Sequence, residues 1–184
     1  MPGPAPDAPA AVEWTTYVSP VGRLRIVECE AGPLLVAFEP VDERLAWRVR
    51  VRGALPEVRA ARGRCVRTVS WLDAYFAGPP LPRRWPWPDW LRDWWDVTPA
   101  QLAVWRTLRG VPVGATVSYE EIARTTGLVA RQVGRCMATN RLAILLPCHR
   151  VVGKDGRLVG YAGGLPAKRW LLAHELRAAG VRLS

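Results

Sequence analysis

The sequence predicts a mixed α/β (α+β) protein, with a small N-terminal α/β domain on an antiparallel sheet and a mainly helical C-terminal domain. Three observations carry that prediction. Between Trp14 and about Val58, stretches such as GRLRIVECEAGPLLVAFEP set alternating or clustered apolar residues between glycines and prolines, as hairpins and meanders do. Beyond Pro99 the apolar spacing becomes helical. Between the two lies PPLPRRWPWPDWLRDWWDVTP, whose prolines forbid regular structure while its five tryptophans require a surface to lie on.

Taken in order, residues 1–11 are Pro/Ala-rich and read as disordered. Residues 12–78 form the N-terminal domain. It ends in the helix of RTVSWLDAYFAG, where Val69, Leu72, Tyr75 and Phe76 share a face and Gly78 stops the helix. Residues 79–97 are the linker and residues 98–184 the C-terminal domain. There Thr98 caps a helix with Pro99 at its first position, apolar Leu102, Val104, Trp105 and Leu108, and a stop at Gly110. In SYEEIARTTGLVARQVGRCMATN, Ser118 caps one helix, Gly127 turns the chain, and a second helix runs from about Ala130 to Ala138. That is a helix-turn-helix outline, which ordinary cores also use.

Charge narrows the partner. The chain of 184 residues carries +10, but residues 1–97 hold 13 Arg/Lys against 12 Asp/Glu while residues 98–184 hold 13 against 4. A polyanion such as nucleic acid suits the basic half; Arg-rich surface decoration is the alternative. The second helix of the outline presents Arg131, Gln132 and Arg135 with no acid, which favours phosphates and bases over a solvated face. No apolar run is long enough to span a membrane, and MPGPAPDAPAAVEW lacks the basic start and apolar centre of a signal peptide, so a soluble cytoplasmic protein is expected. Cys29, Cys65, Cys136 and Cys148 form no CxxC pair and no Cys/His cluster. Neither a metal site nor a disulfide framework is expected.

AILLPCHRVVG places one of only two histidines, His149, directly after Cys148. A thiolate is the reactive form of cysteine, and a neighbouring imidazole is the usual means of producing one near neutral pH. A cysteine hydrolase would need the same two groups, although their adjacency is no signature of the common thiol proteases.

Together VWRTLRGVPVGATVSYEEIA, ARQVGRCMATN, ILLPCHRVVG and GYAGGLPAKRWLLAHE resemble the O6-alkylguanine-DNA alkyltransferases (methylated-DNA–protein-cysteine methyltransferases), with weaker similarity in SPVGRL and LDAYFAG. The resemblance implies an RNase H-like N-terminal fold and a winged-helix-like C-terminal one. It implies irreversible transfer of an alkyl group from O6-alkylguanine, and from O4-alkylthymine, to Cys148 in one turnover without cofactor. His149 would activate the thiol through a water, and Glu175 would orient His149. Tyr119 would donate to the departing purine, and Asn140 would join the recognition helix to the active-site strand by hydrogen bonds. Tyr161, Ala162, Val159 and Met137 would surround the guanine. Arg131 would fill the gap left by a flipped nucleotide, with Gln132, Arg135 and Tyr119 against the DNA minor groove. The implied partner is double-stranded DNA containing O6-alkylguanine, bound by a monomer in the cytoplasm at the nucleoid. Read from the residues alone, Glu175 is an ordinary helix-face acid and Tyr119 a core tyrosine. A non-catalytic lesion binder of the alkyltransferase-like kind is the alternative function; such relatives replace the motif cysteine, which this chain keeps.

Overall fold

A computed structural model describes residues 11–40, 61–85 and 97–180. Strands β1 (Val12–Ser19), β2 (Gly22–Cys29) and β3 (Gly32–Phe38) form the antiparallel meander expected from the alternation. The short strand β4 (Ala61–Arg62) pairs with β1 in parallel, giving the order β3-β2-β1-β4. Gly22 and Gly32 begin β2 and β3 with φ of 122° and 138°, a conformation side chains resist, which is why glycine closes both hairpins.

Helix α1 (Val66–Ala77) packs against this sheet, with Thr68, Leu72 and Tyr75 buried and the Phe76 ring stacked on Tyr17 of β1. Its first residues have no cap of their own, since Cys65 precedes the helix in a left-handed conformation. The sheet supplies the missing acceptors: Glu13 takes the amides of Arg64 and Cys65, and buried Glu28 takes that of Thr68 at 2.9 Å. Two carboxylates therefore sit at the positive end of the helix and fix it to β1 and β2. Gly78 ends it, as expected.

Residues 79–85 and 97 carry no helix or strand. Trp85, the one tryptophan of the linker within the described residues, is buried and rests edge-on against Trp71. The rest of the linker reading lies outside the described residues, as does nearly all of the N-terminal segment expected to be disordered.

Helix α2 (Pro99–Gly110) begins with the Thr98 cap, which Gln101 completes as a capping box. Strand β5 (Val117–Ser118) leads into α3 (Tyr119–Thr126), capped by Ser118 and ended by Gly127 at φ 70°, and α4 (Ala130–Ala138) follows. The helix-turn-helix outline is thus borne out residue by residue. Indole and amide bonds hold α4 to α2, from Trp105 to the Cys136 carbonyl at 3.1 Å and from Gln101 to Thr139 at 2.8 Å. A 3-10 turn (Cys148–Arg150), strand β6 (Val151–Val152), parallel to β5, and helix α5 (Gly164–Ala178) follow.

The resemblance implies an active-site strand after Asn140; the structure has a chain of tight turns there instead. Leu142 bridges to Val36 on the edge of β3, but no ladder continues. The Leu145 amide bonds back to Ala143 around Ile144, whose φ is 71°, and the Cys148 amide bonds back to Leu146 around Pro147. A β-branched residue with positive φ is strained, and Pro147 offers no amide, so neither fits a strand. One buried cluster joins Leu24, Ile26, Val36 and Leu72 with Trp105, Leu142 and Leu171. Among the described residues no helix is long and apolar enough to cross a membrane.

Candidate active site

Cys148 opens the 3-10 turn, which meets the end of α4 and helix α5. Asn140, just past α4, donates from Nδ2 to the Leu146 carbonyl at 3.0 Å and to Cys148 Sγ at 3.1 Å, while its Oδ1 accepts the Leu142 amide at 2.9 Å. One side chain thus ties both ends of the turn sequence and points a hydrogen at the sulfur. Cys148 is the only half-buried thiol of the four; Cys29, Cys65 and Cys136 are buried. Burial pushes the Cys148 thiol up, and the Asn140 hydrogen bond and the charge of Lys168 oppose that rise. The resting group is therefore a thiol, with stabilisation waiting for the charge that develops on sulfur.

His149 is completely buried in the turn, and its Nε2 lies 2.8 Å from Glu175 Oε1. Glu175 is also completely buried, on α5. Arg150 grips the same carboxylate with a fork, Nε to Oε2 at 2.8 Å and a terminal nitrogen to Oε1 at 2.9 Å, and donates to the Val111 carbonyl. The Tyr75 hydroxyl donates to Oε1 at 2.8 Å from α1. Burial alone would raise the Glu175 carboxyl, but the hydrogen bonds from His149 and Arg150, with the charge of Arg150, hold it well below the usual carboxylate range. An anionic Glu175 needs a hydrogen on Nε2, which leaves Nδ1 as the lone pair. Nδ1 is buried and has no partner among the described residues. Burial keeps the imidazole pKa low despite the pull of Glu175, so His149 rests neutral and able to accept a proton.

The remaining predicted residues are placed less tightly. Tyr119 opens α3 half-buried; burial, and then the charge of Cys148, raise its hydroxyl, which stays a donor. The Tyr161 ring meets His149 edge-on at 6.4 Å, and its buried hydroxyl has no partner among the described residues. Val159 and Ala162 are exposed on the loop leading to α5, and Met137 is buried on the inner face of α4. Arg131 and Arg135 are exposed one turn apart on α4. Gln132 is turned differently: its side-chain carbonyl accepts the Val129 amide at 2.9 Å and so caps its own helix.

Sequence reasoning missed Arg150, Tyr75 and Lys168. Lys168 has no exposed surface and spends its ammonium on the carbonyls of Val151, Val159 at 2.6 Å and Gly160 at 3.3 Å, tying the turn to the loop. Arg150 adjoins the Cys-His pair and Lys168 falls seven residues before Glu175, but an exposed cation would read identically. Tyr75 stands 100 residues from Glu175, and no local pattern signals that contact. No group of three or more His, Cys, Asp or Glu side chains among the described residues is arranged to hold a metal.

Residues 99–177 match the family model for the 6-O-methylguanine DNA methyltransferase DNA-binding domain. A human methylated-DNA–protein-cysteine methyltransferase is 33% identical over 92% of this chain and 83% of its own length. The corresponding protein of Mycolicibacterium paratuberculosis is 36% identical over 90% of this chain and 93% of its own. That of Shigella flexneri reaches 46% identity, over 42% of this chain and only 47% of its own length. Among solved structures, Mycobacterium tuberculosis OGT in complex with DNA superposes with a TM-score of 0.71 at 31% identity, covering 90% of this chain and 94% of that one. The similarity runs through both halves of the fold and through the turn that bears Cys148, and the chain belongs to the methylated-DNA–protein-cysteine methyltransferase family.

Proposed function

We propose that this protein repairs O6-alkylguanine in double-stranded DNA by moving the alkyl group onto Cys148 Sγ, in one irreversible turnover and without a cofactor. The observation that carries the reading is the buried relay, in which Glu175 occupies His149 Nε2 and leaves Nδ1 as the open base beside a half-buried thiol. As sulfur attacks the alkyl carbon, the S–C bond forms and the C–O6 bond breaks. The thiol proton passes through a water to Nδ1, and the Asn140 amide supports the growing negative charge. Guanine departs as an anion that Tyr119 protonates, and the imidazolium proton then makes good that loss. Tyr161, Val159, Ala162 and Met137 form the walls that receive the base. O4-alkylthymine presents the same electrophilic carbon to the same pocket.

A paired base cannot reach a thiol in this position, so the nucleotide is rotated out of the duplex. Arg131 fills the gap, while Arg135 and Gln132 lie along the minor groove, where contacts are nearly blind to sequence. In this reading residues 98–184 carry the chemistry and the DNA face, and residues 12–78 brace them. The protein acts as a cytoplasmic, nucleoid-associated monomer. Incubation with a duplex containing one O6-methylguanine should add a single methyl group to the intact mass, mapped by peptide sequencing to Cys148. An unchanged mass, or a methyl on another cysteine, refutes the proposal.

A further inference from the structure

We infer that Tyr75, on the N-terminal helix α1, is a positioning residue of the Glu175–His149 relay, its hydroxyl claiming part of the carboxylate oxygen on which His149 depends. The inference rests on the alkyl-transfer reading of Cys148.

The geometry separates two roles at Glu175. Three donors meet at Oε1: the Tyr75 hydroxyl at 2.8 Å, His149 Nε2 at 2.8 Å and an Arg150 terminal nitrogen at 2.9 Å. A carboxylate oxygen offers about two lone-pair directions, so the three compete. The Arg150 fork, which also reaches Oε2, already fixes the plane of the carboxylate. What Tyr75 adds is therefore a share of the charge. A hydroxyl donating to Oε1 weakens the hold of that oxygen on an imidazolium, and so keeps His149 a neutral base over a wider range of pH.

Tyr75 is built to stay in place. Its ring stacks on Trp71 at 5.4 Å and 14°, meets Phe76 edge-on at 5.2 Å, and lies 5.2 Å from the ring of His174. His174 Nε2 bonds the Tyr75 carbonyl at 2.7 Å, which ties α1 to α5 one residue before Glu175. Burial, and then the Glu175 charge, push the phenol far above its ordinary pKa, so it remains a donor throughout the working range. Among the described residues Arg150, Lys168 and Tyr161 accompany Glu175 about His149, and the Gly114 amide also reaches Glu175 at 3.5 Å.

The test is the pH profile of the single-turnover rate, measured with free O6-benzylguanine and with an O6-methylguanine duplex between about pH 5 and about pH 9. The acid limb reports protonation of His149 in the unreacted protein. Tyr75→Phe should move that limb up by about half a pH unit on both substrates. Site-specific 3-fluorotyrosine at position 75, a stronger donor of almost the same shape, should move it down. Limbs that superpose on wild type, or that shift in the same direction in both proteins, overturn the inference even where melting temperatures fall. Should Tyr75→Phe not fold, the fluorinated protein alone decides by the direction of its shift. Absence of transfer in the wild-type protein refutes the proposed function instead, so the two failures are distinguishable.

Discussion

Cys65 and Cys148 are the same side chain in two regions of one molecule, and their surroundings make opposite uses of it. Both thiols are raised by burial. At Cys65, between the sheet and α1, the carboxylates of Glu28 and Glu13 add to that rise, and the pKa reaches about 12. Those carboxylates are there to serve the helix N-terminus, and they make the thiol inert as a consequence. At Cys148 the neighbours are an amide donor, a buried ammonium and an imidazole whose Nδ1 has no partner among the described residues. Burial is shared, so reactivity is decided by the sign of what surrounds the sulfur.

The largest way to break this contrast is to remove what Cys65 lacks. His149→Ala should slow transfer to Cys148 by about 10² to 10⁴-fold, the usual share of a positioned general base. Glu175→Gln should cost a similar factor, because the imidazole loses its charge partner and its fixed tautomer, while DNA affinity stays nearly unchanged. The double variant should be little worse than either single one, since the two act as one unit. Rapid-quench single-turnover measurements decide this, and losses that multiply would separate Glu175 from the relay.

A smaller effect sharpens the contrast from the side of access. If Arg131 holds the gap left by the flipped base, Arg131→Ala should slow reaction with duplex O6-methylguanine by about tenfold to a hundredfold, set by an unstacking cost of a few kcal/mol. Reaction with free O6-benzylguanine should barely change. Equal losses on both substrates would assign Arg131 to the fold and not to the DNA.

The smallest effect lies on the inert side. A thiol that stays neutral in the fold but ionises when unfolded favours unfolding as pH rises, so the contribution of Cys65 is lost above its unfolded pKa of about 8.5. Between about pH 9 and about pH 12, Cys65→Ala should flatten the fall of stability with pH by at most about 1.4 kcal/mol per unit. Denaturant midpoints measured along that range would show it, and an unchanged slope would mean that Cys65 titrates alike folded and unfolded.

Much of the molecule was legible in the chain. Helix α2 with its Thr98 cap, helices α3 and α4 about Gly127, and the stop of α1 at Gly78 follow from caps, glycines and apolar spacing, which act within a few residues. The meander of β1 to β3 follows from alternation and from glycines at the two turns. Cys148 beside His149 marked the candidate thiol for the same local reason. The tertiary structure decided the rest. It turned the segment after Asn140 from a strand into linked tight turns, with Ile144 at positive φ and Leu142, Ile144 and Leu146 all buried. It buried Arg150, Lys168 and Glu175, which a sequence presents like any surface charge, and it turned Gln132 back onto its own helix. It also carried the Tyr75 hydroxyl across 100 residues to the carboxylate behind His149. Propensity and capping are written into neighbouring residues, whereas the burial of a charge depends on which distant donors arrive to satisfy it.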